Sequence, residues 1–297
     1  MVRDMSRLGR YLDPLLVESL RNLQLPARRL AEGGASGRHK SPRHGASVEF
    51  RQHRFYTAGD EVRHIDWRLL ARTDRPFVRQ FEQETNLRCM IALDASGSMG
   101  YRGKFDYSLR LATALAYLLL GNGEHVGLSV FTGAIDRWIS PLSSTQQLAR
   151  LVDAMERTVP RGNSEVKSLH DICQRLRRRS LVIVVSDLFF SADQIATALA
   201  RLRHNRHETI LARILHPDEI EFPFKSWTQL EGLEGERPQA ADPALGRRIY
   251  LQNFARHDRS LHDICRAQHV ELATFRTDEP LSESLGGFLR KRLLMKH

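Results

Sequence analysis

From residue 88 onward, apolar positions alternate between two patterns. Short unbroken apolar runs alternate with stripes at helical spacing. Cys89-Met90-Ile91-Ala92-Leu93 is one such run, as expected of a strand covered on both faces. Phe105, Leu109, Ala112, Leu115 and Leu119 then trace one side of a helix. Val126 to Phe131 reads as a second strand, and Arg137-Trp138-Ile139-Ser140 as a short edge strand. Leu148, Leu151, Val152 and Met155 fall at i, i+3, i+4 and i+7, as do Leu169, Ile172, Cys173 and Leu176, which predicts two more helices. Leu181-Val182-Ile183-Val184-Val185 is the clearest buried strand. Ser191 and Gln194 then form a capping-box signature ahead of Ile195, Ala198, Leu199 and Leu202. Thr209 to Leu215 is another strand, and residues 217–247 read as loops and short irregular pieces. Ile249 to Ala267 is a long helix, Val270 to Phe275 a strand and Leu281 to Leu293 a last helix.

Alternating strands and helices predict an α/β fold: a doubly wound, mostly parallel sheet flanked by helices, over residues 88–297. Residues 1–87 differ. Leu8, Leu12, Leu15, Leu16, Leu20 and Leu23 predict an amphipathic helix, Glu32 to Gly45 a loop, and Phe77-Val78-Arg79-Gln80-Phe81 a partial strand. This stretch is expected to be a helical and extended arm packed on the sheet domain.

Composition narrows the class. With 297 residues, 41% of them hydrophobic, the chain can bury a sizeable core. No stretch approaches the roughly 18 apolar residues of a membrane span, and Met1 to Arg7 leads into no apolar signal core. Cys89, Cys173 and Cys265 are widely spaced, as reduced core cysteines would be, so a cytoplasmic location is expected. The net charge of +10 is almost all arginine: lysine supplies six of 45 basic residues. Both signs are interleaved, which argues for solvated faces over a nucleic-acid surface, although a nucleic-acid-binding role for the arginine excess remains an alternative.

Ligands of a doubly wound sheet bind at the C-terminal ends of its strands. Two predicted strands end there in aspartate. Asp94 closes the first, and Asp187 follows Val185 by one serine. Ser96 and Ser98 lie in the turn after Asp94, and Arg161-Gly162-Asn163-Ser164 brings a further hydroxyl. Carboxylate and hydroxyl oxygens suit a hard octahedral cation, Mg2+ or Mn2+. The plainer account of these residues is helix capping and turn formation.

Asp94-x-Ser96-x-Ser98 and Asp187 in Val185-Ser186-Asp187 resemble the metal-ion-dependent adhesion site of von Willebrand factor A domains. Gly37-Arg38-His39-Lys40-Ser41-Pro42, Val48-Glu49-Phe50, the block Gly59 to Trp67, Ala71-Arg72 and Glu82-x-Glu84 resemble the bacterial family called domain of unknown function 58. The usual third hydroxyl residue is threonine; Ser164 takes that place here and lacks the methyl that restricts the rotamer. The resemblance implies metal ligands Asp94, Ser96, Ser98, Ser164 and Asp187, with one coordination position left for a carboxylate of a protein partner. It also implies a non-enzymatic adaptor working with a MoxR-type AAA+ ATPase in assembly or activation of a protein complex. The chain itself has no Gly-x-x-x-x-Gly-Lys-Ser/Thr phosphate loop.

A metal-dependent hydrolase is a further alternative. Positions 94–98 read Asp-Ala-Ser-Gly-Ser, which is not the Gly-x-Ser-x-Gly elbow. A phosphatase would place a second aspartate where Ser96 stands. Outside the strand ends, Asp60, Arg63, Asp66, Arg68 and Arg72 could form an ion-pair network, with Trp67 as a core anchor. Arg38, His39, Asp60, Arg63, Asp66 and Trp67 are the candidate partner-binding residues.

Overall fold

The structure, a computed structural model, describes residues 9–20, 25, 48–57, 65–83, 87–176, 179–224, 228–230, 239–241 and 243–294. The chain divides into two units, Met1–Arg29 with Leu87–His297, and Leu30–Asn86. The expected 1–87 arm is therefore split, and its N-terminal helix belongs with the sheet. That helix is also interrupted where the leucine spacing predicts a continuous one. Residues 9–11 are helical, the turn breaks at Leu12, and α1 (Pro14–Leu20) starts afresh. Proline has no N–H to give and tolerates only the first turn. Asp13 takes the capping position and accepts from the Leu16 N–H at 2.8 Å. Tyr11, Leu12, Leu16 and Leu20 are buried, while Leu15 faces outward.

In the smaller unit, β1 (Val48–Phe55) pairs antiparallel with β2 (Phe77–Gln83), with a bulge between Phe50 and Gln52. Between them lies α2 (Trp67–Thr73). Phe55 and Phe77 stack at 4.6 Å where the two strands meet.

The larger unit begins with β3 (Arg88–Asp94), α3 (Lys104–Gly121), β4 (His125–Phe131) and β5 (Ile135–Leu142). Two helices follow, α4 (Gln147–Glu156) and α5 (Lys167–Arg175), then β6 (Leu181–Ser186), α6 (Ala192–His204) and β7 (Glu208–Leu215). The stretch read as irregular holds α7 (Pro217–Glu221) and a small antiparallel pair, β8 (Thr228–Leu230) and β9 (Gln239–Ala241). The chain ends with α8 (Pro243–Gln268), β10 (Glu271–Arg276) and α9 (Leu281–Leu294). Helix α8 starts well before the predicted Ile249, because Pro243 can open a helix as readily as it stops one.

The six strands lie in the order β10-β7-β6-β3-β4-β5, parallel throughout except β5, which runs antiparallel at the edge. The doubly wound, mostly parallel sheet expected from the sequence is thus present. Alternation along β3 explains the two layers. Cys89, Ile91 and Leu93 join a core with α1, α3, α4 and α9, whereas Met90 and Ala92 join one with α5, α6 and α8. Chain order reverses at β3, since β4 lies on one side of it and β6 on the other. The crevice at that switch point is where such sheets take ligands. The three cysteines are buried free thiols. Among the described residues no helix is long and apolar enough to cross a membrane.

Gly127 shows how tightly β4 and β5 are joined. A Cβ there would lie 2.5 Å from the Ile139 carbonyl oxygen and 2.8 Å from the Pro141 nitrogen, at a register shift between the strands. Backbone cannot swing aside as a side chain can. Gly127→Ala should destabilise the chain by about 1–3 kcal/mol, read as a lower urea midpoint; an unchanged midpoint would contradict this packing.

Candidate metal centre

Asp94 is delivered by the central strand and is fully buried. The turn after it is held at several points. Ala95 donates its N–H to the Phe131 carbonyl at 2.8 Å and accepts from the Arg161 N–H at 2.8 Å. Gly97 donates to the Gly162 carbonyl, also at 2.8 Å. Gly162 has φ +63°, a conformation glycine enters without penalty. These bonds carry the 161–164 loop to the strand end, and Ser164 donates its hydroxyl to Asp94 Oδ2 at 3.1 Å.

The remaining partners of Asp94 are also uncharged. Oδ1 accepts from the Ser96 N–H at 2.9 Å, and Oδ2 accepts from the Ser186 hydroxyl at 2.7 Å. The Ser96 and Ser98 hydroxyls lie 3.1 Å apart and hydrogen-bond each other. Burial pushes the Asp94 carboxyl up to about 6, the charge of Asp187 adds to the rise, and hydrogen bonds from Ser186 and Ser96 oppose it. Among the described residues no cation pairs with Asp94.

The five candidate ligands therefore converge at one sheet edge. Asp187, one residue beyond β6, is 3% exposed. Its Oδ2 accepts from Lys104 Nζ at 2.8 Å, and its Oδ1 makes a long contact, 3.4 Å, with the Phe189 N–H. Sequence reasoning missed three participants: Ser186, Lys104 and Glu219. Lys104 is fully buried and donates to Glu219 Oε1 at 2.8 Å as well as to Asp187. Burial works against its charge, yet the two carboxylates outweigh burial and raise its pKa. One signal was available. Lys104 opens α3, the positive end of the helix dipole, where a cation is disfavoured unless an anion offsets it.

The loop beyond Asp187 is unusual. Leu188 is buried with φ +60°, a conformation that costs a non-glycine residue about 1–2 kcal/mol. Ser186 Oγ accepts its N–H at 3.0 Å, and its carbonyl lies 3.0 Å from His257 Nε2. The next ring, Phe189, is 45% exposed at the rim of the site, 5.5 Å from Lys104 Nζ and 6.0 Å from the Arg213 guanidinium.

Two observations test the metal. Capping does not account for Ser96: it precedes the 3-10 turn Gly97–Gly103, and its hydroxyl caps nothing there. The Ser96 and Ser98 hydroxyls, and the Ser164 hydroxyl with Asp94 Oδ2, lie within hydrogen-bond reach at 3.1 Å, and carboxylate and hydroxyl oxygens are the donor type a small hard cation takes. The residues fit a small hard cation. Among the described residues no group of three or more His, Cys, Asp and Glu able to hold a metal ion is found, so a cation here would depend on the serine hydroxyls beside the carboxylates.

The candidate partner-binding residues fare differently. Arg38, His39, Asp60 and Arg63 lie outside the described residues. Asp66 caps α2, accepting from the Arg68 and Leu69 N–H groups at 3.1 Å each. Trp67 is 59% exposed, so it is not the core anchor expected of it. The first residue of a capped helix can point to solvent, and this one does.

A family model described as protein of unknown function DUF58 matches residues 52–259. The chain belongs to the DUF58 family. The uncharacterized proteins Rv1480 of Mycobacterium tuberculosis and Mb1516 of Mycobacterium bovis are each 26% identical to it over 291 residues, covering 94% of this chain and 90% of theirs. Solved structures similar to this DUF58 member include BatB from Bacteroides thetaiotaomicron, at 13% identity and TM-score 0.42, covering 70% of this chain and 100% of that one. An aerotolerance-related membrane protein from Bacteroides fragilis has 15% identity and TM-score 0.45, with 71% and 100% coverage. The SpRpn10 VWA domain has 13% identity and TM-score 0.40, with 68% and 94% coverage.

The buried carboxylate sets a stability prediction. The folded Asp94 carboxyl titrates near 6, an unfolded aspartate near 4, so the folded state holds this proton more tightly. The resulting stability is present below about pH 4, is lost as pH rises to about 6, and changes no further above; it is worth on the order of 2–3 kcal/mol. Metal-free Asp94→Asn should therefore be more stable than the parent at pH 7 and lose that advantage at pH 4. Urea melts in EDTA at the two pH values decide it, and a less stable variant at pH 7 would refute it.

Proposed function

We propose that this DUF58 protein is a non-enzymatic, divalent-metal-dependent protein-binding adaptor. The supporting observation is Asp94: a carboxylate out of water, bonded among the described residues to neutral donors only, beside the Ser96, Ser98 and Ser164 hydroxyls. Asp94, Ser96, Ser98 and Ser164 would hold Mg2+ or Mn2+, with Asp187 on the outer side of the site. Bound there, the cation supplies an open position for an anionic oxygen, and a partner carboxylate fits that need. Phe189 at the rim adds an apolar surface beside it.

A MoxR-type AAA+ ATPase is the partner this proposal names, on the strength of the family resemblance, and the cytoplasm is the proposed location. The hydrolase alternative has less behind it. The Ser96 hydroxyl is bonded to Ser98, and among the described residues no histidine bonds either one.

A second reading has one observation in its favour. Arg247, Arg248, Arg256 and Arg259 line a groove of about 690 Å³ along α8, a basic surface of the kind that attracts nucleic acid. DNA or RNA binding that falls steeply with salt and ignores magnesium would favour it.

The adaptor proposal predicts that Mg2+ raises affinity for the co-expressed MoxR-type ATPase at least tenfold, and that Asp94→Ala abolishes the gain while the chain stays folded by circular dichroism. Equal capture in excess EDTA would sink it.

A further inference from the structure

We infer that Lys104 is a built-in competitor of the divalent cation, a tethered ammonium that weakens metal binding at the Asp94 site and keeps Asp187 out of direct ligation. The inference rests on the metal reading above and goes beyond it. A serine-and-aspartate site needs its second carboxylate free or bridged by water, but here one oxygen of Asp187 is taken by Nζ at 2.8 Å. The same ammonium lies 2.8 Å from Glu219 on α7, so one cation serves two carboxylates from different strand ends.

Lys104 cannot easily leave. It is fully buried, begins a helix that packs in the core, and has the Phe189 ring 5.5 Å away. The turn that carries Ser96 and Ser98 runs directly into it, and that turn is itself held to α7. The Tyr101 hydroxyl donates to Asp218 Oδ2 at 2.9 Å, and Arg102 pairs with the same oxygen at 3.2 Å. Helix α7 is in turn closed by a box in which His216 Nδ1 accepts from the Asp218 N–H and Glu219 accepts from the His216 N–H. The ammonium is therefore positioned by two segments at once. A unit positive charge held 2.8 Å from Asp187, and itself fully buried, repels a dication that approaches the same carboxylate.

Glu219 acts in the opposite sense, because it offsets part of the lysine's charge. Removing Lys104 should tighten the metal, and neutralising Glu219 should loosen it.

The test is Mn2+ binding to the full chain, measured by titration calorimetry and by the electron paramagnetic resonance signal of free Mn2+. Lys104→Met should bind Mn2+ roughly tenfold or more tightly than the parent, and Glu219→Gln several-fold more weakly. Should Lys104→Met fail to fold, Lys104→Gln, which keeps a hydrogen-bond donor for the two carboxylates and removes the charge, carries the test: tighter binding supports the inference, equal or weaker binding overturns it. Asp94→Ala separates the two levels. Binding lost in Asp94→Ala but unaltered in Lys104→Met and Glu219→Gln overturns the role of Lys104 and leaves the metal site standing. Binding indifferent to Asp94→Ala overturns the site and the inference with it. If the parent binds no Mn2+, an Asp94-dependent site gained in Lys104→Met supports the inference, and none gained overturns both.

Discussion

Taking a carboxylate out of water costs several kcal/mol unless charge or hydrogen bonds replace the lost solvent. Asp94 is in that position at the end of the central strand, and the surrounding structure is arranged to answer it. The sheet places it there because Cys89 to Leu93 is apolar on both faces, which fixes β3 in the middle. Its order places β6 alongside, so that Ser186 can donate to the same carboxylate. The pinned 161–164 loop adds Ser164. All of these donors are neutral. They solvate the charge without cancelling it, and that leaves Asp94 poised for a cation. A residue selected for stability alone would be an asparagine.

The strands and most helices were legible because their signal is local. An unbroken apolar run between turn residues, as in Leu181 to Val185, has few other fates in a chain of this pattern. The errors lie where one residue overrides a pattern. Pro14 breaks a helix that six leucines would have carried through, and Pro243 opens one that the apolar stripe locates only from Ile249. Asp66 and Trp67 show a different limit. Asp66 takes a backbone task at a helix start, and the ring of Trp67, expected to be buried, is turned outward by the same helix start.

At the strand ends, the gathering of carboxylate and hydroxyl oxygens could be read from the sequence, and the lysine between two of the carboxylates could not. Asp94, Ser96 and Ser98 are alternate residues of one strand end and turn, and Asp187 lies just beyond the end of the neighbouring strand, so their convergence follows from the topology. Lys104 finds Asp187 and Glu219 across separations of 83 and 115 residues. No periodicity encodes such pairings. Lysine is also seldom fully buried, so its default placement is a solvated helix end. Only its wrong-signed position at the start of α3 hinted otherwise.

Charge at the level of the whole chain and charge at the site have opposite signs. The protein carries +10, yet Asp94, Asp187 and Glu219 outnumber the single ammonium among them. The two scales act at different distances. A basic exterior attracts an acidic partner from afar and weakens with salt. Asp94 and Asp187 are buried and Glu219 partly so, which leaves their charges less screened by salt than those of the exterior. On the adaptor proposal these are successive parts of one recognition. Arginines favour the approach of an acidic surface, and the cation then rewards one carboxylate in register. On the inference drawn for Lys104, its ammonium would limit the second part and keep the grip reversible, as an adaptor that must release its partner requires.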